Sequence, residues 1–192
     1  MVILLVFISQ CSIKEEKKKC CFLKFAKLNS NDEDIKIPTK RYEDAGYDVY
    51  PHFYSDFMRI RPHKTVMIPT GIASVIPEGY YMQLEEKGST GSLGIKRSAG
   101  VIESGYRGEW FVAITNTNDV DLYIAKKSVV PRLEDAAYVL QSDIIIYPYE
   151  KAIAQAILHK VPDVVAINCD YEEVKNTVSE RGTGKLGSTD KN

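Results

Sequence analysis

The chain is poor in the residues that build metal or disulfide sites. Its 192 residues include only four cysteines and three histidines. Cys11, Cys20 and Cys21 crowd the first 21 residues, Cys169 stands alone, and no C-x-x-C spacing occurs; His52, His63 and His159 are scattered. This pattern argues against a zinc ligand set and for reduced thiols, as in a cytoplasmic protein. Lysine plus arginine (25) nearly balance aspartate plus glutamate (26), a net charge of −1. The chain therefore lacks the basic surplus of proteins that bind nucleic acid or membrane surfaces, and an anionic ligand would need a local cluster of donors. No apolar run approaches the ~20 residues that span a bilayer. The run MVILLVFIS at 1–9 is short, and its charged flank KEEKKK at 14–19 follows it, the reverse of an export signal. Residues 1–21 read as an N-terminal extension. Neither the GxxxxGK[ST] phosphate loop, nor a dinucleotide fingerprint, nor a repeat of fixed period is present.

What the chain does have is 44% hydrophobic and 27% charged residues, ordinary values that furnish one core. The stretch 22–168 breaks into short apolar runs separated by Gly, Pro and Asn. Strands are expected at Leu23–Leu28, Thr65–Ile68, Ile72–Ile76, Tyr80–Leu84, Trp110–Thr115, Asp121–Ile124, Ile144–Tyr147, Ile153–Leu158 and Val164–Ile167. Many short strands imply an all-β sandwich or barrel rather than alternating βαβ units. One helix is expected over Pro131–Gln141, where Leu133, Ala136, Ala137 and Leu140 recur at helical spacing after a proline suited to a first turn. Residues 169–192 are polar and glycine-containing, the composition of a mobile tail.

Three segments carry chemistry. Glu86-Lys87-Gly88-Ser89-Thr90-Gly91-Ser92 combines small residues, hydroxyls and a lysine, which suits backbone and side-chain donation to phosphate. Ala99 to Trp110 joins turn signals to one acid, Glu103, in an apolar setting, and such a carboxylate serves as a general base where geometry allows. Arg181-Gly182-Thr183-Gly184-Lys185-Leu186-Gly187-Ser188-Thr189 offers two cations and three hydroxyls on a flexible backbone, fit for a lid that orders around phosphates. Each segment alone has a plain alternative as a turn or a solvated tail.

Together with two more, these segments resemble the five motifs of trimeric dUTPases, in the same order. The first is Ala45-Gly46-Tyr47-Asp48-Val49, the second Lys87–Ser92, the third Gly100–Gly108, the fourth Ile153-Ala154-Gln155 and the fifth Arg181–Thr189. The resemblance implies a distorted jelly-roll or β-barrel of the dUTPase type, with one short helix and a flexible C-terminal arm. It implies a homotrimer whose active sites lie where subunits meet, and Mg²⁺-dependent hydrolysis of dUTP to dUMP and pyrophosphate. Carried over residue by residue, Glu103 is the catalytic base. Tyr106 underlies the deoxyribose and excludes a 2′-hydroxyl. Val101 and Ile102 offer backbone to uracil. Lys87, Ser89, Gly91 and Gln155 hold phosphates. Arg181, Leu186, Gly187, Ser188 and Thr189 close over the nucleotide, and Asp48 reaches Mg²⁺ through water.

The chain also departs from the family pattern. The base is normally aspartate, and the extra methylene of Glu103 moves the carboxylate by ~1.5 Å at full extension, when ~1 Å can cost two orders of magnitude in rate. Lys87 stands where arginine is usual and lacks its bidentate geometry. Lys151-Ala152 replaces Asp-Arg before the fourth motif, and Leu186 replaces an aromatic. Residues 117–149 read as an insertion. Two alternatives follow: a non-catalytic binder of deoxyuridine nucleotides, and a dCTP deaminase, whose required glutamate would fall on Ala113.

Overall fold

The computed structural model of the chain describes residues 22–184. Twelve strands occur between residues 24 and 160: β1 (Lys24–Lys27), β2 (Gly46–Val49), β3 (Phe57–Ile60), β4 (Thr65–Pro69), β5 (Ile72–Val75), β6 (Tyr80–Glu85), β7 (Ile95–Ala99), β8 (Val101–Glu103), β9 (Phe111–Asn116), β10 (Asp121–Ala125), β11 (Ile144–Pro148) and β12 (Ala154–Lys160). They pair as β1-β5, β11-β10-β3, β2-β12-β6-β8 and β4-β9-β7. The mostly β expectation is met. Helices are short: α1 (Gly88–Gly91), α2 (Val130–Leu140) and α3 (Tyr171–Asn176).

Period-two patterning builds the sheet that matters most. In β6, Met82 and Leu84 are fully buried while Tyr81, Gln83 and Glu85 face the other way; in β12, Ala154 and Ala156 are buried and Gln155 and Ile157 alternate with them. The shared core also takes Ile60, Ile68, Ile114, Leu122 and Trp110, each side chain contributing about 1.5–3 kcal/mol on burial. Trp110 packs edge-on against Phe25 at 5.5 Å and donates its indole N–H to Ser74 Oγ at 3.2 Å, so its one polar atom is satisfied.

Buried polar groups are paired in the same way. His52 meets the Asp32 carboxylate at 3.0 Å, and the Tyr54 hydroxyl donates to that carboxylate at 3.3 Å. Burial opposes the charge on Asp32, but the hydrogen bonds from Asp34 N–H, His52 and Tyr54 outweigh it and hold the carboxyl below its ordinary range.

The expected helix forms one residue earlier than anticipated, as α2, with proline in its first turn and Gln141 in the left-handed region (φ 51) ending it. None of its residues is buried, and Tyr138, Val139 and Leu140 are largely exposed. The helix exists to connect: β10 and β11 pair in parallel, and a parallel pair needs a crossover of a dozen or more residues. One βαβ unit thus sits inside an otherwise antiparallel, mostly β architecture.

Val164–Ile167, expected as a strand, joins no ladder, and Val164, Val165 and Ile167 are exposed. An apolar run is a strand only where a partner edge is available. Residues 162–184 form a separate compact unit holding α3, where Lys175 and Glu172 pair at 3.2 Å. Among the described residues, no helix is long and apolar enough to cross a membrane.

Candidate functional site: two clefts on one sheet

Cross-strand register gathers the site. In the sheet β2-β12-β6-β8, Asp48 pairs with Gln155 and Gln155 with Glu85; Gln83 pairs with Val101 and Tyr81 with Glu103. Directly paired residues share a face, so Asp48, Gln155, Val101 and Glu103 all stand on the face opposite the buried Met82 and Leu84. Four residues of strand at about 3.4 Å each, and two strand spacings of about 4.8 Å, put Glu103 and Gln155 about 17 Å apart.

At one end lies a mainly apolar cleft of about 270 Å³. Glu103, Val101, Gly100 and Tyr106 line it, with Met67 and Phe111 from the neighbouring sheet. Ile102 belongs to it through backbone, because its side chain is buried between those of its exposed neighbours. The turn after β8 is closed by Tyr106 N–H on Glu103 O (3.0 Å) and by Arg107, which donates to Ser104 O (2.6 Å) and Tyr106 O (2.8 Å). The Tyr106 hydroxyl donates to Glu109 O at 2.8 Å, which ties the part-exposed ring to the cleft it lines. Gly100, just before β8, packs tightly against β6: Leu84 N–H donates to Gly100 O at 2.7 Å, and a Cβ there would sit 2.9 Å from the Leu84 carbonyl. Only glycine lets the two backbones approach this closely.

At the other end is a polar cleft of about 550 Å³. Asp48, Lys87 and Gln155 meet here, so the first, second and fourth motifs converge. The Lys87 ammonium pairs with the Asp48 carboxylate. Gln155 donates to Glu86 O at 3.0 Å, and a Cβ on Gly46 would lie 3.1 Å from its amide oxygen, which explains the glycine of the first motif. Ser89 and Gly91 follow Lys87 in α1, outside the lining of both clefts; Ser89 Oγ is 3.3 Å from the Tyr147 hydroxyl. Ala152 is buried at 5% exposure, and Lys151 lies outside the cleft lining.

Arg181 belongs to the separate unit; Leu186, Gly187, Ser188 and Thr189 lie outside the described residues. Sequence reasoning missed Met67, Glu109 and Phe111 in the apolar cleft, and Thr39, Lys40, Arg41 and Asp44 in the polar one. Glu109 accepts Gly71 N–H at 2.8 Å through one oxygen. Its place in the motif Tyr106-Arg107-Gly108-Glu109 was the available signal. The cations at 40 and 41 form too short a run to stand out. Among the described residues, no group of three or more His, Cys, Asp or Glu side chains is arranged to hold a metal ion.

The fold resembles that of solved dUTPases. The dUTPase of Staphylococcus bacteriophage 80alpha, solved with dUpNHpp, superposes with a TM-score of 0.61 at 19% identity, covering 88% of this chain and 98% of that one. Sequence carries the assignment further. The dUTPase family model matches residues 32–133. The deoxyuridine 5'-triphosphate nucleotidohydrolase of Candida albicans is 30% identical over 159 residues, 82% of each chain. That of Nautilia profundicola is 31% identical over 173 residues, 88% of this chain and 99% of that protein. The chain belongs to the dUTPase family.

Proposed function

We propose that the chain hydrolyses dUTP to dUMP and pyrophosphate, with Glu103 as general base. The observation that carries this reading is the apolar cleft itself: in a member of this family, Glu103 and Tyr106 line one cavity together with the exposed backbone of Gly100–Ile102. Uracil lies against that backbone, where an unmatched polar edge on another base is strongly disfavoured. The Tyr106 ring underlies the sugar and leaves no space for a 2′-hydroxyl. Glu103 takes a proton from water as the water oxygen bonds to the α-phosphorus. The bond from that phosphorus to the bridging oxygen breaks, and pyrophosphate leaves with the electron pair.

Lys87 and Gln155 neutralise and orient the phosphates, with Ser89 and Gly91 beside them; Arg181, Leu186, Gly187, Ser188 and Thr189 supply the closing contacts. Asp48 suits Mg²⁺ bound through water, since this ion keeps several waters and takes one or two carboxylates plus substrate oxygens. Bound there, Mg²⁺ offsets charge on the triphosphate. The two clefts share no lining residue, which favours a homotrimer in which the apolar cleft of one copy faces the polar cleft of another. Deamination of dCTP loses its support, because Ala113 is buried in β9 between Met67 and Ala99 and no carboxylate occupies that position.

The test is pyrophosphate release from dUTP, with dTTP and UTP as controls, beside calorimetric titration with dUTP. Release from dUTP alone supports the proposal. Binding without release identifies a non-catalytic nucleotide binder.

A further inference from the structure

The polar cleft has a wall that none of the five motifs supplies: the loop preceding β2. Thr39 bridges to Asp48, accepting its N–H at 2.8 Å, so the loop folds back over the strand that carries Asp48. The loop is tied to itself. Asp44 N–H donates to Arg41 O (3.2 Å) and Arg41 N–H to Asp44 Oδ2 (3.1 Å). Lys40 Nζ donates to the carbonyls of Asp44 (2.8 Å), Arg41 (3.3 Å) and Tyr42 (3.4 Å) and sits 5.7 Å from the centre of the Tyr47 ring. Lys40 is thereby occupied as a clasp.

Arg41 is placed differently. Its Nε and Nη2 grip the Asp44 carboxylate at 2.9–3.2 Å, while Nη1 makes no hydrogen bond to any described residue and the side chain stays 88% exposed. The hydrogen bonds from Arg41 hold the Asp44 carboxyl below its usual range, and the same contact raises the guanidinium further. An exposed ion pair of this kind is screened by solvent and contributes little to stability, and the turn is already closed by backbone bonds and Lys40. Stapling the loop is therefore a weak reason for an arginine. Among the described residues Arg41 is the sole guanidinium lining the cleft that holds Asp48, Lys87 and Gln155. Lys87, the other well-placed cation, is a point charge without a fork.

We propose that Arg41 is a substrate-binding residue that takes a terminal phosphate of the nucleotide. Asp44 holds one edge of the guanidinium, and the free Nη1 edge donates to phosphate oxygens. The ligand class is a polyphosphate chain, so the contact is made to the triphosphate and not to the monophosphate product. This inference rests on the dUTP reading above.

The experiment compares wild type with Arg41→Ala and Arg41→Lys, using calorimetry with Mg²⁺ and either a non-hydrolysable imido analogue of dUTP or dUMP, alongside steady-state hydrolysis. Arg41→Ala should weaken the analogue about 10- to 100-fold and leave dUMP within about twofold, as expected for one charge-assisted contact. KM for dUTP should rise, and Arg41→Lys should recover part of the loss. An unchanged melting midpoint in both variants shows that the loop still folds. Equal affinity in Arg41→Ala and wild type, or an equal loss for the analogue and dUMP, overturns the proposal. If wild type neither binds nor hydrolyses dUTP, the functional reading falls and takes this one with it. If wild type is active and Arg41→Ala matches it, only this one falls.

Discussion

Single side chains decide most of the chemistry. Glu103 is the one carboxylate of the third motif that stands free on the sheet face, and it is longer by a methylene than the aspartate usual in the family. Glu103→Gln keeps its size and removes its basicity. Turnover should drop by at least about a hundredfold while nucleotide affinity stays within about tenfold, read from single-turnover rates and calorimetry. A variant retaining most of its activity would remove Glu103 from the role. Asp32 acts on stability instead. Its carboxyl is held below the ordinary range by its Asp34, His52 and Tyr54 partners, so the stabilisation is fully present above the unfolded value of about 3.9 and is lost as pH falls through the native value. The melting temperature should decline as pH falls below about 4, and Asp32→Asn should flatten that decline.

At the scale of elements, the close approach of β8 to β6 sets the apolar cleft. Gly100→Ala would push a methyl group against the Leu84 carbonyl, 2.9 Å away. The expected cost is about 1–3 kcal/mol, read as a lowered melting midpoint at fixed protein concentration, with turnover falling because Glu103 moves with the strand. Much at this scale was legible in the sequence. The apolar runs that became β4, β5, β6, β9 and β12 announced themselves, as did α2 through its proline and its spacing. β2, β3, β7 and β8 did not: Gly46-Tyr47-Asp48-Val49 and Ile95-Lys96-Arg97-Ser98-Ala99 are too polar to read as strands, Phe57–Ile60 is interrupted by Arg59, and Val101–Glu103 is too short. Val164–Ile167 misled for the opposite reason, since its residues are apolar and its partner is missing. The site was legible as motifs but not as geometry. That Asp48, Gln155 and Glu103 share a face depends on pairings between residues far apart in the chain, and local pattern carries no register.

For the whole molecule, the separation of Glu103 and Gln155 by about 17 Å underlies the proposal that the active site is shared between copies, and mixing variants tests it. A Glu103→Gln chain and a Lys87→Ala, Gln155→Ala chain should each be nearly inactive alone. Mixed by co-refolding, they should regain activity, because some sites then combine the intact apolar cleft of one copy with the intact polar cleft of the other. Hydrolysis no greater than the sum of the separate proteins would mean that each chain works by itself. Sedimentation of wild type at working concentration gives the accompanying check, with three copies expected.

The alternation along β12 and β6 has a consequence for how this gene can vary. The register that turns Ala154 and Ala156 inward is the one that holds Gln155 outward beside Asp48. Adding or deleting one codon inside either strand would swap the two sets, driving an amide into the hydrocarbon interior and an alanine onto the reactive surface. Length changes that spare the protein must fall in connections such as 126–143, so indels in this lineage should concentrate there while the strands drift only by substitution.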